Sequence, residues 1–292
     1  MCTLAKLLIS PSRTLLLFTR SLSTRPSSKN YFCDPTLLTN YIDQKDELLR
    51  SIVDKGHHKF YYTLTCKQLV GAKNIPRIFQ YVDSEINHEV YDLLLNNFNV
   101  KHQEQFKSDL NLIIQAQHSP IRDPIYITTN EELMKRYSRQ LKHLIDIMTY
   151  DEFLTQHKRI MSYNQLGIGK FPGYLDIEVI DIQHGYVQLR LQVRPKFHAP
   201  NGYLHAGLVV TFADTACGYG TFDSKPANAL SFTTIELKAN FLGSVREGSI
   251  LCHAELIHGG KTTQVWDAHV IDEAQMKTIA IFRCTNLLLY PK

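Results

Sequence analysis

Residues 201–221, "NGYLHAGLVVTFADTACGYGT", decide how this chain is read. Leu208, Val209, Val210, Phe212, Ala213, Ala216 and Cys217 leave no polar face, so the segment reads as a helix buried on all sides. One carboxylate, Asp214, stands in its middle. An ionised carboxylate taken out of water is costly unless it is paired or hydrogen-bonded. Its stripe on the helix, Gly207, Thr211, Cys217 and Gly218, is made of small residues, which suggests a cleft rather than close packing.

The segments around the helix read as strands. "GYVQLRLQVRP" (185–195) alternates strictly between apolar and polar residues, and His184-Gly185 supplies a tight turn from "GYLDIEVIDIQ" (173–183), predicting a hairpin. After the helix come "ALSFTTIELKANFLG", "GSILCHAELIHGG", "KTTQVWDAHVIDEAQ" and "KTIAIFRCTNLLLY", four more strands separated by turns. An antiparallel sheet with an apolar face needs something to pack on it, and the all-apolar helix is the element at hand.

Upstream the texture is different. From about residue 35 to 148 it is helical: "PTLLTNYIDQKDELLRSIVDKG", "NHEVYDLLLNNF", "FKSDLNLIIQAQ" and "EELMKRYSRQLKHLIDIM" carry apolar residues at roughly helical spacing, broken at "SPIRDPIYITTN" by Pro120 and Pro124. No fixed repeat period is present. The first thirty residues hold Lys6, Arg13, Arg20, Arg25 and Lys29, with no acid before Asp34, and are rich in Ser, Thr and Leu. That is the composition of a mitochondrial transit peptide, which points to the matrix. The chain is therefore parsed as a transit peptide over 1–33, a helical region of unassigned role over 34–148 and a second domain over 149–292.

Composition excludes other classes. A formal net charge of +4 on 292 residues, with no Lys/Arg tract, argues against nucleic-acid binding. "LLISPSRTLLLF" is too short and too polar to span a bilayer. The six cysteines show no CxxC pair or compact spacing, so neither zinc nor a disulfide framework is indicated, and buried reduced thiols are expected. The histidines before residue 150 are scattered without ligand spacing.

The motifs "HAPNGYLHAGLVVTFADTACGYG", "FTTIELKANFLG", "HGGKTTQVWDA" and "AIFRCTN", in this order over residues 150–290, resemble the hotdog-fold acyl-CoA thioesterases of the phenylacetate-pathway type. The resemblance implies an α+β hotdog fold, an antiparallel sheet wrapped around a central helix. It also implies hydrolysis of acyl-CoA or related thioesters without metal or organic cofactor, in a homodimer or dimer of dimers with the site between chains. The family motif is His-Gly-Gly with an acid nine residues after the His. Here His205-Ala206-Gly207 and Asp214 hold that spacing, with Ala206 in place of the first Gly. In the family the backbone N–H after the His polarises the thioester carbonyl, a group that Ala206 still supplies. The family's Asn six residues before the His is Ala199 here, and Asn201 lies only four before. By its position relative to "NFLG", Thr234 matches a family hydroxyl that helps hold the attacking water, with Thr233 the second choice.

The residues themselves give a parallel chemistry. A helix N-terminus carries unpaired N–H groups and a positive dipole end, a suitable place for the oxyanion formed when a thioester is attacked. Ala206 and Gly207 let a carbonyl approach closely, while His205 either caps the helix or touches substrate. Asp214 is a general base on water or a direct nucleophile, or else a structural Asp held by Thr or backbone donors. Nine residues at about 1.5 Å rise separate His205 from Asp214 by roughly 13 Å, too far to serve one carbon, so base and oxyanion donor must come from different chains. Arg246 and Lys261 are candidate contacts for the coenzyme A phosphates, or ordinary solvated charges. Trp266 reads as core. A non-catalytic acyl-thioester binder, or a structural subunit docked to a mitochondrial assembly through residues 34–148, is the competing class.

Overall fold

The structure, a computed structural model, describes residues 28–71, 74–84, 88, 91, 92, 94, 95 and 104–291. Residues 1–27 of the expected transit peptide and most of the helix expected over 87–98 lie outside these. The described chain divides between Thr155 and Gln156, a few residues later than the boundary read from the sequence.

The first unit contains the expected helices, but they are the crossovers of a parallel sheet. Its strands are β1 (Asn30–Cys33), β2 (Lys59–Tyr62), β3 (Phe79–Tyr81), β4 (Pro124–Thr128) and β5 (Asp146–Thr149), in the order β3-β2-β1-β4-β5 and all parallel. The region is thus α/β rather than helical alone. Asn30–Cys33, assigned above to the transit peptide, is the central strand. These strands are three to five residues long and largely buried, so they show aromatic and β-branched clusters ("NYFC", "KFYY", "PIYIT") without alternation. Pro124 begins β4 instead of breaking a helix, a position a strand tolerates.

Side-chain caps set the helices between them. Helix α1 (Pro35–Ile42) has Pro at its first position and Asp34 as N-cap; α2 (Glu47–Asp54) is capped by Asp46 and α3 (Leu64–Val70) by Thr63. Helix α4 (Glu104–His118) precedes β4. Helix α5 (Glu131–Lys142) starts on Asn130, with acids in its first turn and bases in its last. Helix α6 (Tyr150–Gly167) follows β5, and the short α7 (Phe171–Tyr174) comes after it.

The second unit is the expected hotdog. Strands β6 (Glu178–Gln183) and β7 (Tyr186–Gln192) form the hairpin, and α8 (Ala206–Ser224) follows. Then come β8 (Ser231–Phe241), β9 (Ser249–Gly259), β10 (Thr263–Asp272) and β11 (Lys277–Leu289). The antiparallel sheet runs β6-β7-β9-β10-β11-β8, and α8 packs on it through Phe212, Ala213, Ala216 and Cys217. Trp266 is fully buried, as expected, and lies against Gly220, where an added Cβ would come within 2.5 Å of the indole. Cys217, Cys252 and Cys284, like Cys33 and Cys66 of the first unit, are buried free thiols. The helix is not buried on all sides, however. Gly207, Thr211, Asp214, Thr215, Gly218 and Phe222 form a stripe left open or half-open on the chain.

Candidate active site

The start of α8 is built by His205. Its backbone is extended (φ −66°, ψ 129°) and its Nδ1 accepts the Gly207 N–H at 2.9 Å, so the ring is a cap, with its proton left for Nε2. A Cβ on Gly207 would sit 3.0 Å from that same nitrogen, which explains the glycine. The Leu208 N–H donates to the His205 carbonyl at 2.9 Å. With the amides of Gly207 and Leu208 engaged, the Ala206 N–H is the one left without a partner in the first three positions of the helix. Ala206 is exposed, so an incoming carbonyl can reach it. Of the first amides of the helix, that of Ala206 is the one open to an incoming oxygen, while the Gly207 amide serves the cap.

Asp214 lies two turns along, half-buried. Burial pushes its carboxyl above the ordinary range, and the Thr234 hydroxyl, donating to Oδ1 at a long 3.5 Å, pulls back only part of that shift. Thr234 reaches it because β8 carries a bulge: Thr285 pairs with Glu236 and Asn286 with Thr234, leaving Ile235 unopposed. Thr234 and Ala239 consequently both face inward, although they are five residues apart; Thr233 points to solvent. Next to Asp214 opens a cleft of about 360 Å³, walled by Tyr219 and Phe222 of α8, Phe232 of β8, and Leu166, Lys170 and Pro172 around α7.

The other expected contacts are not brought together. Arg246 is exposed and stacks on Tyr203 at 4.2 Å, and its neighbour Val245 accepts from Leu204, so it belongs to the N-terminal end of α8. Lys261 is exposed in the turn before β10, whose Gln264 donates to the Ser224 carbonyl at the other end of that helix. A 19-residue helix, about 28 Å, separates them on one chain. Asn201 is spent on its own loop, accepting the Tyr203 N–H at 3.2 Å. Tyr219 and Phe222, missed in the sequence, line the same cleft as Asp214; Phe222 was legible as the continuation of the Asp214–Gly218 stripe at successive i+4 steps, and Tyr219 was not. Leu166, Lys170 and Pro172 gave no local signal. Among the described residues no three His, Cys, Asp or Glu side chains converge as a metal site requires, and no helix is long and apolar enough to cross a membrane.

A sheet curled around one helix, with an unpaired amide at the helix start and a perturbed carboxylate midway along it, defines a hotdog thioester hydrolase. Comparison with known proteins agrees. Residues 201–279 match the model of the thioesterase superfamily. The chain is 38% identical over 111 residues to a 1,4-dihydroxy-2-naphthoyl-CoA hydrolase of Listeria monocytogenes, covering 38% of this chain and 89% of that protein. It is 37% identical over 109 residues to the putative esterase ComA2 of Bacillus subtilis, covering 36% and 86% respectively. Among solved structures, the E. coli PaaI protein of the phenylacetic acid degradation operon aligns over 46% of this chain and 91% of its own, at 21% identity and a TM-score of 0.39. This chain belongs to the thioesterase superfamily.

Proposed function

We propose that the chain hydrolyses acyl-CoA thioesters as a homodimer in the mitochondrial matrix. The observation that carries the chemistry is Asp214, desolvated, held by one long contact and set beside a cleft. In this reading the thioester oxygen accepts the Ala206 N–H of one chain, while Asp214 of the other takes a proton from a water that Thr234 helps to hold. The water oxygen bonds to the carbonyl carbon, the carbon–sulfur bond breaks, and the proton passes from Asp214 to the leaving thiolate. The products are a free acid and a thiol. Because about 12 Å of helix separates Ala206 from Asp214 on one chain, a monomer cannot assemble this arrangement. Two features support a second copy: the open stripe of α8, and the sheet edge at β8, where Ile235, Leu237 and Phe241 are exposed. The printed activity of the Listeria relative supports a coenzyme A thioester, and the basic, acid-free leader supports import into mitochondria.

Thiol release from a panel of short, long and aromatic acyl-CoAs, with purified protein and its Asp214→Asn variant, tests this reading. Turnover by the first alone supports it. Silence from both, with dimers present, favours a binding role. A fluorescent protein carrying residues 1–33 tests the address.

A further inference from the structure

Lys170 sits in the cleft beside Asp214, on a turn ahead of the first hotdog strand. That turn is fixed. A Cβ on Gly173 would come 2.3 Å from the Gly167 carbonyl oxygen, and one on Gly167 would come 3.3 Å from the Tyr219 hydroxyl. The Lys170 N–H donates to Gly167 and its carbonyl accepts from Tyr174, both at 3.0 Å. The residue is thus anchored on the Tyr219 side of the cleft, and Tyr219 lies five residues, about 7 Å, further along α8 than Asp214.

Its charge is not spent inside the chain. Among the described residues the Lys170 ammonium has no ion pair or side-chain hydrogen bond, and Asp214 is the one carboxylate lining the cleft, beyond ion-pair distance. Besides Thr215, Gly218 and Thr234 next to Asp214, the walls are Leu166, Pro172, Tyr219, Phe222 and Phe232, mostly apolar and with three aromatic rings, a lining that suits a ring better than the phosphates of coenzyme A. An exposed, unpaired lysine lining the Tyr219 side of a cleft rich in aromatic rings calls for an anion on the ring end of its occupant.

Building on the hydrolase reading above, we propose that Lys170 is a specificity residue that selects aromatic acyl groups carrying a carboxylate remote from the thioester. Lys170 takes no part in the bond-breaking steps. It holds the remote carboxylate while Ala206 of one chain and Asp214 of the other act on the carbonyl end.

The test compares kcat/KM for benzoyl-CoA and 4-carboxybenzoyl-CoA in the full-length chain, Lys170→Met and Lys170→Glu, at low and moderate salt. The wild type is expected to favour the carboxylated substrate by about tenfold, less at higher salt. Lys170→Met is expected to abolish that preference, read as the ratio of the two kcat/KM values within each variant, and Lys170→Glu to reverse it. An unchanged ratio in Lys170→Met overturns the proposal, as does loss of the dimer in that variant, which would show the ammonium serving the second copy. Turnover of benzoyl-CoA without charge preference sinks this inference alone. Failure of the wild type on every acyl-CoA tried sinks the hydrolase reading and this inference together.

Discussion

The two units each bury a carboxylate, and burial pushes both upward from the ordinary range. They differ in what surrounds the oxygens. Asp34, at the end of β1 and 3% exposed, accepts the Leu37 N–H at 2.8 Å, the Thr129 N–H at 2.5 Å and the Thr129 hydroxyl at 2.6 Å. It caps α1 and ties β1 to the end of β4. Asp214 has one hydroxyl at 3.5 Å and a cleft on its other side. A raised carboxyl therefore does not mark function by itself. Unused hydrogen-bonding capacity facing an opening does, and the same holds for the Ala206 amide against its engaged neighbours.

Substitutions can break or sharpen that contrast. The largest effect belongs to Asp214→Asn, which should lower thioester hydrolysis by about 10²–10⁴-fold while leaving the dimer intact by sedimentation. A rate within threefold of wild type would place Asp214 with Asp34 as a structural group. Next is Ala206→Pro. Proline fits the first helical position, and the extended backbone of His205 is what a residue before proline adopts, so the change removes one N–H and little else. The expected loss in kcat is about 10²–10³-fold with an unchanged melting temperature; an undiminished kcat would remove this amide from the mechanism.

For the first unit, Asp34→Ala should cost roughly 2–4 kcal/mol of stability in denaturant melts, by loss of a helix cap and of hydrogen bonds to a charged acceptor. Hydrolysis measured where the protein is still folded should not change. A smaller step is Thr234→Val, expected to slow turnover by about tenfold and to move the acid limb of the pH–rate profile to higher pH. The sign follows from the hydroxyl, which holds the Asp214 pKa down, so that removing it delays ionisation. The least effect concerns stability. A carboxyl whose folded pKa is raised contributes stability below its unfolded pKa and loses it as pH rises through the folded one. Asp214→Asn should therefore melt higher than wild type at pH 7, and the gain should shrink near pH 4.

Much of the second unit was legible because its strands are half-buried and alternate, and its turns carry Gly at positive φ, as at Gly185 (75°) and Gly248 (82°). The nine-residue spacing from His205 to Asp214 put the helix cap and the carboxylate on one element, and the structure has both on α8 or at its cap. The bulge at Ile235 was invisible, since only pairing with β11 reveals it, and Thr234 was reached through resemblance rather than alternation. Lys170 escaped because its place in the cleft depends on a turn packing against Tyr219, about fifty residues away in the chain. The parallel sheet of the first unit escaped for the opposite reason. Strands buried on both faces and five residues or shorter have no period to read, so only their capped helices stood out.

The central claim is that one site takes its oxyanion donor from one chain and its base from another. Co-expressing Ala206→Pro and Asp214→Asn chains, each inactive alone, tests it most directly. Random pairing makes half the dimers mixed, each with one intact site, so the account predicts recovery of about a quarter of wild-type activity. Mixed dimers that stay as inactive as either parent would contradict it.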